Sequence, residues 1–294
     1  ASVIGGPLAG VLLTVCDGWF GWPGWRWLFI IEGIPTVVLG VVVLKALPRS
    51  PNTATWLTEE ERQLVLSSRA AGPNAGDTPS QSSWQCPTQT ELTGMLRLVT
   101  RWPMLVLCTI YNCWGAGNGG LVFWLPRIIQ RSGSLSPLAT GFATAVPGCA
   151  AALGQLLNAR HSDATGERHW HFCIALVVSS IGLALAAAFS YADLGPVLTV
   201  IALSLATAGH HGSNAVFWTF ASSTLRTDPR AAAALAYINS VGIFGGFLGP
   251  VVIGVLLDRS GSYVVSLGAL GAILLGCGFL VFLLPKESYG DCEP

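Results

Sequence analysis

The sequence predicts an all-α membrane protein, and three observations carry that prediction. Of 294 residues, 52% are hydrophobic. Only 10% are charged, where a soluble domain has about 25%. The apolar residues fall in continuous runs of about twenty, the length a helix needs to cross a bilayer. Fifteen basic and fifteen acidic residues cancel, which argues against a nucleic-acid surface. Continuous runs also exclude a membrane β-barrel, whose strands alternate polar and apolar residues over about ten positions.

Eight runs are expected to span, at 1–16, 26–47, 103–126, 136–157, 170–192, 195–222, 231–257 and 263–284. The first begins on Ala1 and has neither a basic leader nor a signal-peptide cleavage site, so its start reads as truncated. The second holds Arg26 and Lys45 near its ends and the one interior acid of the eight, Glu32. Trp19, Trp22, Trp25 and Trp27 precede or open it, as an interfacial aromatic belt would. A polar stretch, 48–102, follows as a linker. Thr58 and Glu61 stand at capping-box spacing before a short helix reaching about Ala70, and 71–90 has the Gly, Pro, Ser and Gln content of a flexible connection.

The third run places Tyr111 and Asn112 ahead of Gly115, Gly117, Gly119 and Gly120, a cluster that permits either bending or close helix packing. A short loop between the fourth and fifth carries Asp163, Gly166 and Arg168. The sixth has His210 and His211 near its middle, flanked by Ser213 and Asn214. Adjacent helical residues point about 100° apart, so at most one of the two histidines faces a pathway. The seventh opens on Tyr237, Asn239 and Ser240; Gly242, Gly245, Gly246 and Gly249 then recur on one face before Pro250. The eighth is apolar throughout and 285–294 is a polar tail. The expected organisation is two helices (1–47), the linker (48–102), a six-helix bundle (103–284) and the tail (285–294).

If the first run crosses outward, eleven of the fifteen basic residues fall on one side, which the positive-inside rule makes cytoplasmic, together with the linker and the C-terminus. The eight cysteines show neither a CxxC motif nor Cys/His ligand spacing, so they read as small core residues, and no metal or cofactor is expected.

A repeat runs through the small-residue helices. Gly6-Pro7-Leu-Ala-Gly10-Val-Leu-Leu13 resembles Gly249-Pro250-Val-Val-Ile-Gly254-Val-Leu-Leu257, and each is followed by an acid, Asp17 or Asp258. The copies are six spans apart, and repeated six-span halves are a recurrent membrane design. The first span would then be the fifth of its half.

Longer stretches carry a family resemblance: Gly24-Trp-Arg26-Trp-Leu-Phe-Ile-Ile-Glu32-Gly-Ile-Pro35, Ala54-Thr-Trp56-Leu-Thr58-Glu-Glu-Glu-Arg62, Phe123-Trp-Leu-Pro126, Ser162-Asp163-Ala164-Thr-Gly166-Glu-Arg168, Phe217-Trp218, and Asn239-Ser-Val-Gly242-Ile-Phe-Gly245-Gly246-Phe-Leu-Gly249-Pro250. In these the chain resembles the major facilitator superfamily, in its anion:cation symporter branch of tartrate, phthalate, hexuronate and allantoate permeases. Ala164 departs from the branch, where a basic residue often follows the Asp.

The resemblance implies a major facilitator fold in which the eight spans are helices five to twelve of twelve. It implies alternating-access transport of a small organic anion coupled to protons, by a monomer in the cell membrane. Tyr111, Asn112, His210, His211, Asn214, Tyr237 and Asn239 become candidate substrate ligands. Asp163, Gly166, Arg168, Gly245, Gly249 and Pro250 become gating residues, and Glu32 and His210 proton-coupling candidates; Glu32 also reads as a buried, hydrogen-bonded structural acid. Two other functions compete. A transport-incompetent remnant is one; an intramembrane hydrolase using Ser213 beside the histidines is the other, although it lacks a GxSxG elbow.

Overall fold

A computed structural model describes residues 2–48, 50–70, 89–226, 228 and 230–284, and every regular element among them is a helix. Helices occur at all eight apolar runs: α1 (Ser2–Val15), α2 (Gly24–Ala46), α5 (Trp102–Gly133), α6 (Pro137–Thr165), α7 (His169–Tyr191), α8 (Pro196–Thr224), α9 (Ala231–Ser260) and α10 (Tyr263–Leu280). Between the second and third lie α3 (Glu59–Ala70) and α4 (Gln89–Val99). Residues 71–88 of the 71–90 stretch expected as a flexible connection, the tail 285–294 and Arg49 lie outside the described residues, and 89–90 open α4.

By length and composition, five helices can cross a membrane: Gly24–Ala46, Pro137–Thr165, His169–Tyr191, Ala231–Ser260 and Tyr263–Leu283, the last running through a 3-10 turn. α5 and α8 are longer than most, but Asn112, Asn118, His210, His211 and Asn214 dilute their apolar content. α5 and α6 outrun their apolar segments, ending at Gly133 and Thr165, because backbone hydrogen bonding continues where charged side chains can be solvated.

The turn between α1 and α2 follows from its sequence. Gly18 and Gly21 take φ of 83° and 72°, a region open to glycine, and the Asp17 carboxylate accepts the Gly24 N–H at 2.8 Å, satisfying an orphan donor of α2. Trp19, Phe20 and Trp22 then gather around Trp27 with ring centroids 5.8–6.2 Å apart, and Arg26 lies over the rings of Trp22 and Trp25. At α3 the capping box closes: Glu61 accepts from the Thr58 N–H at 3.0 Å and donates its own N–H to Thr58 Oγ1 at 3.3 Å.

α5 packs on α9, α6 on α8, α7 on both α8 and α10, and α1 on α6. Lipid tails are as apolar as leucine, so these contacts depend on van der Waals fit rather than on withdrawal from water. Glycine supplies the fit. A Cβ on Gly115 or Gly119 would fall on the carbonyl oxygen of Gly242 or Gly246, and one on Gly245 or Gly249 on that of Asn112 or Ala116. The glycine cluster of α5 therefore serves packing and the helix continues through it unbroken; α9 likewise runs through Pro250 as one helix. The repeated motif does the same work in both copies, since Gly6 and Gly10 bring α1 against Gly141 and Pro137 of α6. α2 differs from the rest: Gly24 is its one buried residue.

Candidate functional site

A cavity of about 390 Å³ opens where α1 and α2 face α5, α6 and α8. Its polar lining is sparse: Glu32 from α2, Thr144 from α6, and Thr207 and His211 from α8. Gly5 and Gly6, which carry no side chain, leave it room on the α1 side. Thr144 and Thr207 spend their hydroxyls on helix backbone, donating to Gly141 O at 2.7 Å and Pro147 O at 3.0 Å. The Glu32 side chain is exposed, and among the described residues its carboxylate accepts no hydrogen bond and meets no cation within ion-pair range. Glu32 and His211 are the two ionisable groups on this cavity wall.

The two adjacent histidines are separated by aromatic packing. Phe217, Tyr111, Trp114 and His210 form a column of near-parallel rings at successive centroid spacings of 4.8, 5.3 and 4.6 Å. Such pairs contribute about 0.5–1.5 kcal/mol each beyond burial. The Trp114 indole N–H reaches both His210 O at 3.2 Å and Ser213 Oγ at 3.1 Å, locking α5 to α8. His210 is thereby fully buried, with both ring nitrogens unpaired among the described residues, while His211 projects toward the cavity. Ser213 donates to His210 O at 2.7 Å and is wholly enclosed, so its hydroxyl is not placed as a nucleophile.

The other candidates scatter. A second hollow of about 310 Å³ between α5 and α9 is lined by Tyr111, Trp114, Asn118 and Phe123 over the glycines, and meets the first at Val122. Asn112 donates to Val241 O at 2.9 Å, an interhelical tie. Asn214 buries an Oδ1 with no partner among the described residues. Tyr237 and Asn239 are exposed and line neither hollow. Gly245, Gly249 and Pro250 lie in the α5–α9 contact; Pro250 O accepts the Trp124 indole N–H at 3.3 Å. Trp114, Thr144 and Thr207 escaped sequence reasoning. The three-residue step from Tyr111 to Trp114 on one helix face was the available signal for the first; the threonines carry none.

The loop joining α6 and α7 is built separately. Gly166, at φ 69°, ends α6; the Arg168 guanidinium then reaches Asp163 at 2.6 Å and Ser162 Oγ at 3.0 Å. Glu167 accepts the N–H groups of Trp170 and His171 at the start of α7. Partial burial raises its carboxyl pKa, but these bonds and the His171 ring outweigh that, leaving it below its ordinary value.

Apolar helices around a cavity, with charge at helix ends and in loops apart from Glu32, define a multi-pass membrane protein with a hollow between helix groups. The chain belongs to the Major Facilitator Superfamily, whose family model matches residues 1–250. Two proteins of Agrobacterium vitis, provisionally named as tartrate transporters, are 36% and 37% identical to it over 98% and 100% of its length. The metabolite transport protein NicT of Pseudomonas putida, also provisionally named, is 30% identical over 98%. The chain spans 60%, 64% and 62% of these three relatives. All three relatives are named as transporters or transport proteins.

Proposed function

We propose that this chain forms part of a secondary transporter of a small organic anion, coupled to protons and working by alternating access. The observation that carries the reading is the 390 Å³ cavity, whose walls come from both sides of the linker, α1 and α2 before it and α5, α6 and α8 after it. A ligand held there touches both groups, and their rocking would expose it to one face and then the other. Because the chain spans about three fifths of the relatives above, the activity of a whole transporter is part of this proposal.

Within it, Tyr111, Asn118 and His211 are the side chains best placed for substrate, and the Asp163–Arg168 pair with Gly166 forms a latch on the cytoplasmic side, where the C-terminus also lies. The protein acts as a monomer in the cell membrane. Proteoliposomes carrying the purified chain test the proposal. Uptake of labelled tartrate, or of another carboxylate in a panel, should exceed that of empty vesicles and rise when the outside is acidified. Uptake equal to empty vesicles for every carboxylate tried would reject it.

A further inference from the structure

Proton coupling needs a group that changes charge within reach of the substrate, and two ionisable side chains face the cavity, one from each side of the linker. We propose that Glu32 and His211 together are its proton-handling pair, loading one proton each when an organic anion enters; this rests on the transport reading above.

Around the cavity α1, α5 and α6 contribute glycine, alanine, leucine, valine, proline and threonine residues, and α8 adds Thr207. His210, the next titratable neighbour, lies 5.4 Å from His211 between ring centroids and is sealed behind Trp114. Among the described residues no arginine or lysine lines the wall. A structural acid would be held by donors, yet the Glu32 carboxylate has none among the described residues; the one bond there is from Thr36 Oγ1 to its backbone oxygen. The carboxylate is thus left open to the cavity.

Electrostatics then sets the order of events. With Glu32 ionised and His211 neutral, the cavity carries one negative charge and repels an anion, since a carboxylate held close to another disfavours its ionised form. Protonating Glu32 removes the repulsion and lets its O–H donate to the substrate carboxylate. Protonating His211 supplies the counter-charge. The balance is one ionised Glu32, one neutral His211 and two protons giving one neutral Glu32 and one imidazolium, so the pair changes from one negative charge to one positive charge facing the anion. Loss of both protons on the far side restores the repulsion and expels the anion. His210, sealed behind Trp114, takes no part.

Two measurements on the full chain in nanodiscs test the pair. Tartrate binding should strengthen as pH falls, by up to a hundredfold per pH unit where both groups titrate. Glu32→Gln should cut that dependence to at most tenfold per unit. His211→Gln should weaken low-pH binding at least tenfold, and His210→Gln should leave the pH dependence as it was. An unchanged pH dependence in Glu32→Gln or His211→Gln overturns the pair. Infrared difference spectra need no substrate: the protonated-carboxyl band of the chain's fifteen acids that grows on acidification should lose one component in Glu32→Gln, and that component should shift its midpoint in His211→Gln. A component unmoved by His211→Gln, or absent, also overturns it. Failure of tartrate and every other carboxylate to bind, with the coupled component present, would instead sink the transport reading while supporting the pair.

Discussion

Trp114 decides which of two neighbouring histidines is available, a choice that could not be made from their own positions. The 100° step along a helix required that they point apart; only the ring of a third residue, on another helix, shows that His210 is the one enclosed. Glu32 was legible as unusual because one acid stood among eight apolar runs, but its lack of a donor depends on neighbours far away in the chain. At this same scale Glu167 offers a clean pH test outside the membrane. Its folded-state pKa is depressed below 4.5, so the stability it contributes is present above the unfolded value and lost as pH falls through the folded one. Glu167→Gln should lower the thermal midpoint at pH 7. Over a third of the side chain is exposed, and solvent screening holds the effect to about 1 kcal/mol or less. The gap from wild type should close as the pH falls through the lowered carboxyl pKa, in scanning calorimetry of the detergent-solubilised chain.

Among the elements, helix positions followed from the apolar runs alone, to within a few residues wherever charged ends did not extend them. What those runs could not reveal is which glycines meet a partner. Gly245 and Gly268 look alike in sequence, yet a methyl on Gly245 would strike the Asn112 carbonyl while Gly268 has nothing within 4 Å. Gly245→Ala should therefore destabilise by about 1–3 kcal/mol, the usual cost of overpacking against backbone. Gly268→Ala should be neutral or stabilising by up to about 1 kcal/mol through helix propensity. Thermal unfolding of the two variants side by side checks the assignment; equal losses would show that α5 and α9 are not in backbone contact.

Across the whole molecule, the helices before the linker are held to those after it chiefly through α1 on α6, where Gly6 and Gly10 seat against Thr144, Gly141 and Pro137. The six-span repeat pointed to matching roles for Gly6 and Gly249, and both copies prove to be helix-contact faces, although the partner helices could not be named from the repeat. Residues 1–70 and 89–294, produced as separate polypeptides in one membrane, should copurify. Gly10→Leu, which drives a branched chain into the Pro137 and Leu138 backbone, should abolish that association. Copurification unaffected by Gly10→Leu would move the principal contact elsewhere.

The distance between α1 and its partner also has a cost during synthesis. α6 begins roughly 120 residues after α1 ends, a gap of about 6–25 s at ordinary elongation rates. For that interval the glycine face of α1 lacks the α6 surface it finally meets, and any other small-residue helix in the membrane is a competitor for the same groove. The nascent chain is thus at its most vulnerable to mispairing before α6 emerges, which makes the translocon, and the order in which it releases helices, a silent partner in building the cavity.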